Sequence, residues 1–249
     1  MPIVRVLLIL LALASPALAQ DGARNAAAAR EAAQAFRVYV DGVAKKGERP
    51  DLTRPEVAAL LGRVFDLDAL NALPPVQAND VVWLLDWTEA ANTVSKLFTR
   101  YGSKQDSQPD LTALARNMAA YEDQYAVALN FLIRAQAREA VSMKLFMASL
   151  APEQRTPVRE RGIERARSGA AEFVLAAICS AVQGSKNPAN ARRVATAIRD
   201  TREVWADFFL PQDRARVIAA LADLPTQVPD ATARTDIAAF TAALRAVNI

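Results

Sequence analysis

GAAEFVLAAICSAV, residues 169–182, holds a single charge, Glu172, near its start. Wound as a helix it is roughly 20 Å long, too short to cross a hydrocarbon core of about 30 Å. A segment apolar on nearly every side belongs inside a bundle. Phe173, Ala177 and Ala181 fall on one side, Leu175, Cys179 and Val182 on another, and Val174 with Ile178 between them. Because i, i+3 and i+4 positions share a face, at least two neighbouring helices are needed to cover it. Cys179 is the only Cys and cannot close an internal disulfide, so it reads as a core thiol.

Outward from that stretch the pattern stays helical. Upstream, Thr156-Pro157 marks a helix start, with Pro at the first helical position. The interleaved Arg and Glu of residues 155–167 make a solvated face beside Val158, Ile163 and Ala166. Residues 110–150 form the longest helical pattern, roughly 60 Å if unbroken. Leu111, Met118, Tyr125, Leu132 and Phe146 recur at heptad spacing. Glu139 interrupts that stripe, which makes it the best candidate for a partly buried carboxylate. A second stripe through Leu129, Ile133, Met143 and Met147 offers the alternative, with Glu139 exposed beside Arg138.

Further towards the N-terminus, Asn79 opens a helix reaching about Tyr101, with Gly102 as its terminating residue and Trp83, Trp87, Ala90 and Val94 on one face. Thr53 and Glu56 look like a capping box for Val57, Leu60, Leu61 and Val64, and Asp66 caps a short continuation that Pro74-Pro75 stops. The first mature helix carries Ala29, Ala32, Phe36, Val40 and Val43. Downstream of the opening stretch, Asn187-Pro188 starts a helix with Val194, Ile198, Trp205 and Phe208 inward. Pro211 starts a short one, and Asp230 or Thr232 starts the last, with Ile237, Phe240 and Leu244.

No segment alternates as a strand does, and Gly is scarce at eight residues. The expected fold is all-α, an irregular helical bundle of seven or eight helices in one domain, residues 20–249. Residues 102–110 are the one weak boundary. Pro residues recur at intervals that helical repeats also use, so a short solenoid is the alternative architecture.

The N-terminus reads as an export signal. Arg5 precedes an apolar run, and Ser15-Pro16-Ala17-Leu18-Ala19 supplies small residues before a cut between Ala19 and Gln20. The expectation is a periplasmic or secreted chain that spans no membrane once residues 1–19 are gone. The net charge of +3 becomes +2 when Arg5 leaves, so no basic field recommends nucleic acid as a partner. Lys supplies six of the 30 basic residues and Arg the other 24, read here as a compositional bias.

The chain contains no His. That removes Ser-His and Cys-His catalysis, His-ligated zinc and His-ligated haem. No Gly-rich phosphate loop or calcium-loop spacing occurs either, so no cofactor and no metal is expected. A His-free helical enzyme would work through carboxylates, as a hydrolase or lyase on an envelope polymer, with Glu139 and Glu172 as the candidates. A carrier of a small apolar ligand between helices would use Trp83, Trp87, Tyr121 and Tyr125. The reading that asks least of the sequence is a non-catalytic binding or scaffolding protein whose partner is an envelope protein or a cell-wall component.

Overall fold

Side-chain caps set four of the helix starts. Asp66, Asp110, Asn187 and Asp230 each accept from a backbone N–H two or three residues on, at 2.8, 2.9, 3.1 and 2.8 Å, satisfying donors that the first helical turn leaves unpaired. The computed structural model describes residues 18–103, 110–183 and 186–247. Its helices are α1 (Leu18–Lys45), α2 (Pro55–Val64), α3 (Leu67–Ala72), α4 (Val81–Thr99), α5 (Leu111–Ala120) and α6 (Glu122–Ser149). They continue as α7 (Pro157–Gln183), α8 (Pro188–Asp200), α9 (Arg202–Phe208), α10 (Pro211–Ala220) and α11 (Ala231–Ala246). Short 3-10 turns occupy Ala78–Asp80, Pro152–Gln154 and Leu224–Gln227. The described residues are 82% helical and include no strand.

The described residues form eleven α-helices in place of seven or eight, because tertiary contacts break helical patterns that continue in the sequence. The 110–150 pattern breaks at Tyr121. The buried Asn117 of α5 donates to the carbonyls of Thr99 and Tyr101 at 3.0 and 2.6 Å, and the Tyr121 hydroxyl donates to that of Pro50 at 2.7 Å. The first two bonds tie α5 to the end of α4 and the third ties its C-terminal end to the turn before α2, turning α5 off the α6 axis and leaving Leu111, the head of the expected stripe, 70% exposed. The 187–208 pattern breaks at Thr201, whose hydroxyl returns to the Ala197 carbonyl at 2.7 Å and accepts from the Trp205 indole at 2.8 Å. The start of α2 also differs from expectation. Arg54, not Thr53, occupies the cap position, because Pro55 fixes the first helical residue and Thr53 is drawn to the Asp51 carboxylate.

The central helix is α6, not the stretch at 169–182. Phe131, Leu132 and Ile133 are consecutive and 0%, 2% and 0% exposed, which requires cover on opposite sides. Phe131 and Leu132 face a core built with Phe36, Trp87, Val94 and Phe98 of α1 and α4. Ile133 and Leu129 face a second core with Val194, Ile198, Trp205 and Phe240 of α8, α9 and α11. In α7 only one side is covered, by way of Ala171, Val174, Ala177, Ile178 and Ala181. Phe173 and Leu175 are half-buried, Glu172 and Ala176 are exposed, and the Val182 side chain lies outside the described residues. Cys179, expected in the core, is half-buried. Small apolar side chains made the stretch look more buried than it is, since exposing an Ala methyl costs little.

Packing between distant elements also separates this fold from a solenoid, in which each repeat touches only its neighbours. Helix α1 packs on α4, α6 on both α4 and α8, and α8 on α11. No helix among the described residues is long and apolar enough to cross a membrane. The proposed cut at Ala19–Gln20 falls in the first turn of α1, and residues 1–17 lie outside the described residues, as does most of the 102–110 boundary.

The Arg excess has a structural use. Arg138 donates to the Leu73 and Pro74 carbonyls just beyond α3, and Arg155 to that of Leu150 beyond α6. Arg167 donates to Phe208 and Phe209, and Arg214 to Ala206 and Phe209, at the end of α9. Guanidinium groups thereby satisfy orphan carbonyls and meet the negative end of each helix.

Candidate functional site

Met143 and Met147 are one turn apart on α6, and Ile163 and Arg167 one turn apart on α7. Phe208 closes the space between them from the end of α9. Together with Lys144, Glu160, Glu164 and Asp207 these residues line an open groove of about 490 Å³. The floor is apolar and adaptable, because thioethers are unbranched and polarisable. Lys144 and Asp207 pair across one rim. Arg167 is held in place by the Phe208 and Phe209 carbonyls at 2.5 and 3.3 Å and lies 5.9 Å from the Phe208 ring. Glu160 and Glu164 are exposed on the other rim and form no ion pair among the described residues. The first half of α7 that carries them stands largely in solvent, with Val158 55% exposed.

A second groove of about 490 Å³ follows the seam of α2, the start of α6 and the start of α8. Leu61, Phe65 and Val127 form its apolar side, and Asp123, Asn190 and Arg193 its polar side. Those polar groups are already engaged with one another. Asn190 donates to Asp123 at 2.7 Å and accepts from Arg193 at 3.2 Å. Hydrogen bonds from Asn190 and Asn187 hold the Asp123 carboxyl below its ordinary value. This seam is an interhelix clamp.

The carboxylates picked from the sequence stand apart. Glu172 is exposed on α7 and meets Arg216 at 3.4 Å. Glu139 is half-buried on α6 and faces Thr88 of α4, whose hydroxyl lies 3.2 Å from Oε2. Burial pushes its pKa up to about 7, against a smaller downward pull from a bond donated by Thr88. A lone raised carboxyl is a plausible proton donor in chemistry, but Glu139 lines neither groove, and nor does Glu172.

The four aromatic candidates likewise line neither groove. Trp87 is fully buried, donates to the Val64 carbonyl at 2.9 Å and packs 5.3 Å from Phe131. Trp83 is half-buried, bonded to Asp80 at 2.9 Å and covered by Gly22. Tyr121 is buried beside Phe98, with Arg49 4.9 Å from its ring. Tyr125 is half-buried where the two cores meet, and burial raises its phenol pKa. The described residues contain no group of three or more His, Cys, Asp or Glu placed to hold a metal ion.

No family model, no curated protein and no solved structure matches the chain. The groove on α6 and α7 therefore stands on its own chemistry. Sequence reading had found Met143 and Met147 as an apolar stripe and Ile163 as part of another. What brings them to one groove is the antiparallel return of α7 along α6, together with Phe208 from a helix about 40 residues further on.

Proposed function

We propose that the protein is an exported, non-catalytic binding protein of the bacterial envelope that holds a protein segment along the groove of α6, α7 and α9. The observation that carries this reading is the apolar floor of Met143, Met147, Ile163 and Phe208 beneath two exposed carboxylates, Glu160 and Glu164, that form no ion pair among the described residues. Met-lined grooves suit amphipathic helices, whose side chains at i, i+3 and i+4 enter such a floor. The exposed first half of α7 supplies one wall without first having to leave the body of the protein.

The test uses the full chain expressed in its own host, with a photo-crosslinking residue in place of Met147 and, as a control, in place of Val82, which is 47% exposed on α4. The expected result is a discrete envelope-protein adduct from position 147 that Ile163→Asp abolishes and position 82 does not form. Equal adducts from both positions, or none from position 147, would overturn the proposal. Native mass spectrometry of the same preparation reports whether residues 1–19 have been removed and whether a small ligand stays bound.

A further inference from the structure

We propose that Glu139 is a neutral carboxylic acid in the folded protein and that its ionisation loosens the packing of α4 on α6, so that this seam acts as a proton-operated latch. Among the described residues the contacts leave Glu139 with one donor that it shares with a backbone carbonyl. The Thr88 hydroxyl lies 3.1 Å from the Leu85 carbonyl oxygen and 3.2 Å from Glu139 Oε2. A hydroxyl has one proton to give. When Thr88 gives it to Leu85, its oxygen meets Oε2 with a lone pair, and the contact is a hydrogen bond only if Glu139 supplies the proton. The neutral acid thus completes a chain from Glu139 to Thr88 to Leu85. Among the described residues the ionised acid has only Thr88 to draw on, at the expense of the Leu85 bond, and a half-buried charge with one shared donor is costly.

The charged groups around the seam are already committed. On α4, Asp86 pairs with Arg30 of α1 at 3.1 Å, and Glu89 is exposed. In the turn before α4, Asp80 accepts from the Gln77 N–H and the Trp83 indole at 2.7 and 2.9 Å. On α6 itself, Arg138 turns to the carbonyls beyond α3, Arg134 pairs with Asp200 of α8 at 2.6 Å, and Lys144 pairs with Asp207 of α9. Also on α9, Arg202 pairs with Glu203 at 3.1 Å. From α7, Arg167 is bonded to the end of α9. Burial raises the Glu139 pKa, the Thr88 bond pulls it the other way by less, and no charged neighbour contributes.

The sign follows. The unfolded chain releases this proton at the ordinary Glu value of 4.5 and the folded chain near 7, so the folded form binds more protons between those values. Stability conferred by the neutral acid is complete below the unfolded value and is lost as pH rises through about 7. An exported protein takes the pH of its surroundings, and its N-terminal core would be held to α6 more tightly in mildly acidic surroundings than in alkaline ones.

The experiment compares the mature wild-type chain with Glu139→Gln. The folding equilibrium constant of the wild type is expected to fall about tenfold between pH 6 and pH 8, with faster amide exchange in α4 than the intrinsic pH effect explains. Glu139→Gln keeps a neutral partner for Thr88 and is expected to be flat over that range. Should the variant fail to fold, the carboxyl carbon of Glu139 in isotope-labelled wild type is titrated directly by NMR, with a midpoint above pH 6 expected. A midpoint near 4.5, or equal pH slopes in wild type and variant, would overturn the proposal.

Discussion

Phe131→Ala and Ile133→Ala probe the two faces of α6 separately. Phe131 has no exposed surface and packs 6.0 Å from Phe65 and 5.3 Å from Trp87. Removing a buried Phe ring costs about 3–5 kcal/mol, and aromatic pairs of this kind contribute about 0.5–1.5 kcal/mol beyond their buried area, so a loss of about 4 kcal/mol is expected. Ile133 is equally buried but faces the other core, and its truncation should cost about 3 kcal/mol. In urea, with a slope of about 3 kcal/mol per molar for a chain of this size, these losses lower the midpoint by about 1.3 M and 1 M. Since α6 contributes to both cores, each variant should move the whole unfolding transition. Trp87 reports one core and Trp205 the other, both with no exposed surface, so single-Trp versions of each variant, with the other two Trp residues replaced by Phe, resolve the two sides by fluorescence. Coincident midpoints at both probes are expected. If Phe131→Ala shifts the Trp87 transition and leaves that of Trp205 in place, α6 does not couple the cores and the chain folds as two units.

Other perturbations follow from single contacts. Gly22→Ala places a methyl 2.7 Å from the Trp83 ring; a blue- or red-shifted Trp83 emission and a loss of about 1–2 kcal/mol are expected, and an unchanged spectrum would mean that the start of α1 does not rest on Trp83. Arg214→Met leaves the Ala206 carbonyl without its side-chain donor and the Phe209 carbonyl with Arg167 alone, and a cost of about 2 kcal/mol in chemical denaturation is expected. Burial raises the pKa of the half-buried Cys179 thiol, so alkylation is expected to be slower than for a small-molecule thiol at the same pH and to keep rising well above pH 9. Labelling as fast as the free thiol would contradict its placement.

The weakness of reading burial from composition shows most clearly in α6 and α7. Residues 169–182 have one charge, yet one side of that helix is open. Helix α6 carries Arg134, Arg138 and Glu139 in a row of turns, yet it lies between both cores. Arg134 and Arg138 carry their charge to Asp200 and to the carbonyls beyond α3, so their aliphatic stems can line a helix with little solvent around it. Glu139 does not reach out in this way. Its break in the heptad stripe was visible in the sequence, but its partner, Thr88, lies 51 residues earlier. The groove on α6 and α7 was similarly half legible, as a methionine pair with no wall opposite.

The amino-acid sequence alone determined the helical class and the starts at Asp66 and Asn187, and narrowed the last start to Asp230 or Thr232, because a cap and a helical period are settled within a few residues of chain. The absence of His likewise removed whole chemistries before any fold was known. Only the tertiary structure decided that α6 is the centre, that the long patterns break at Tyr121 and Thr201, and that Arg side chains close the helix ends. Those outcomes depend on hydrogen bonds and packing between residues far apart in sequence, and a periodic pattern carries no record of which distant helix will cover it.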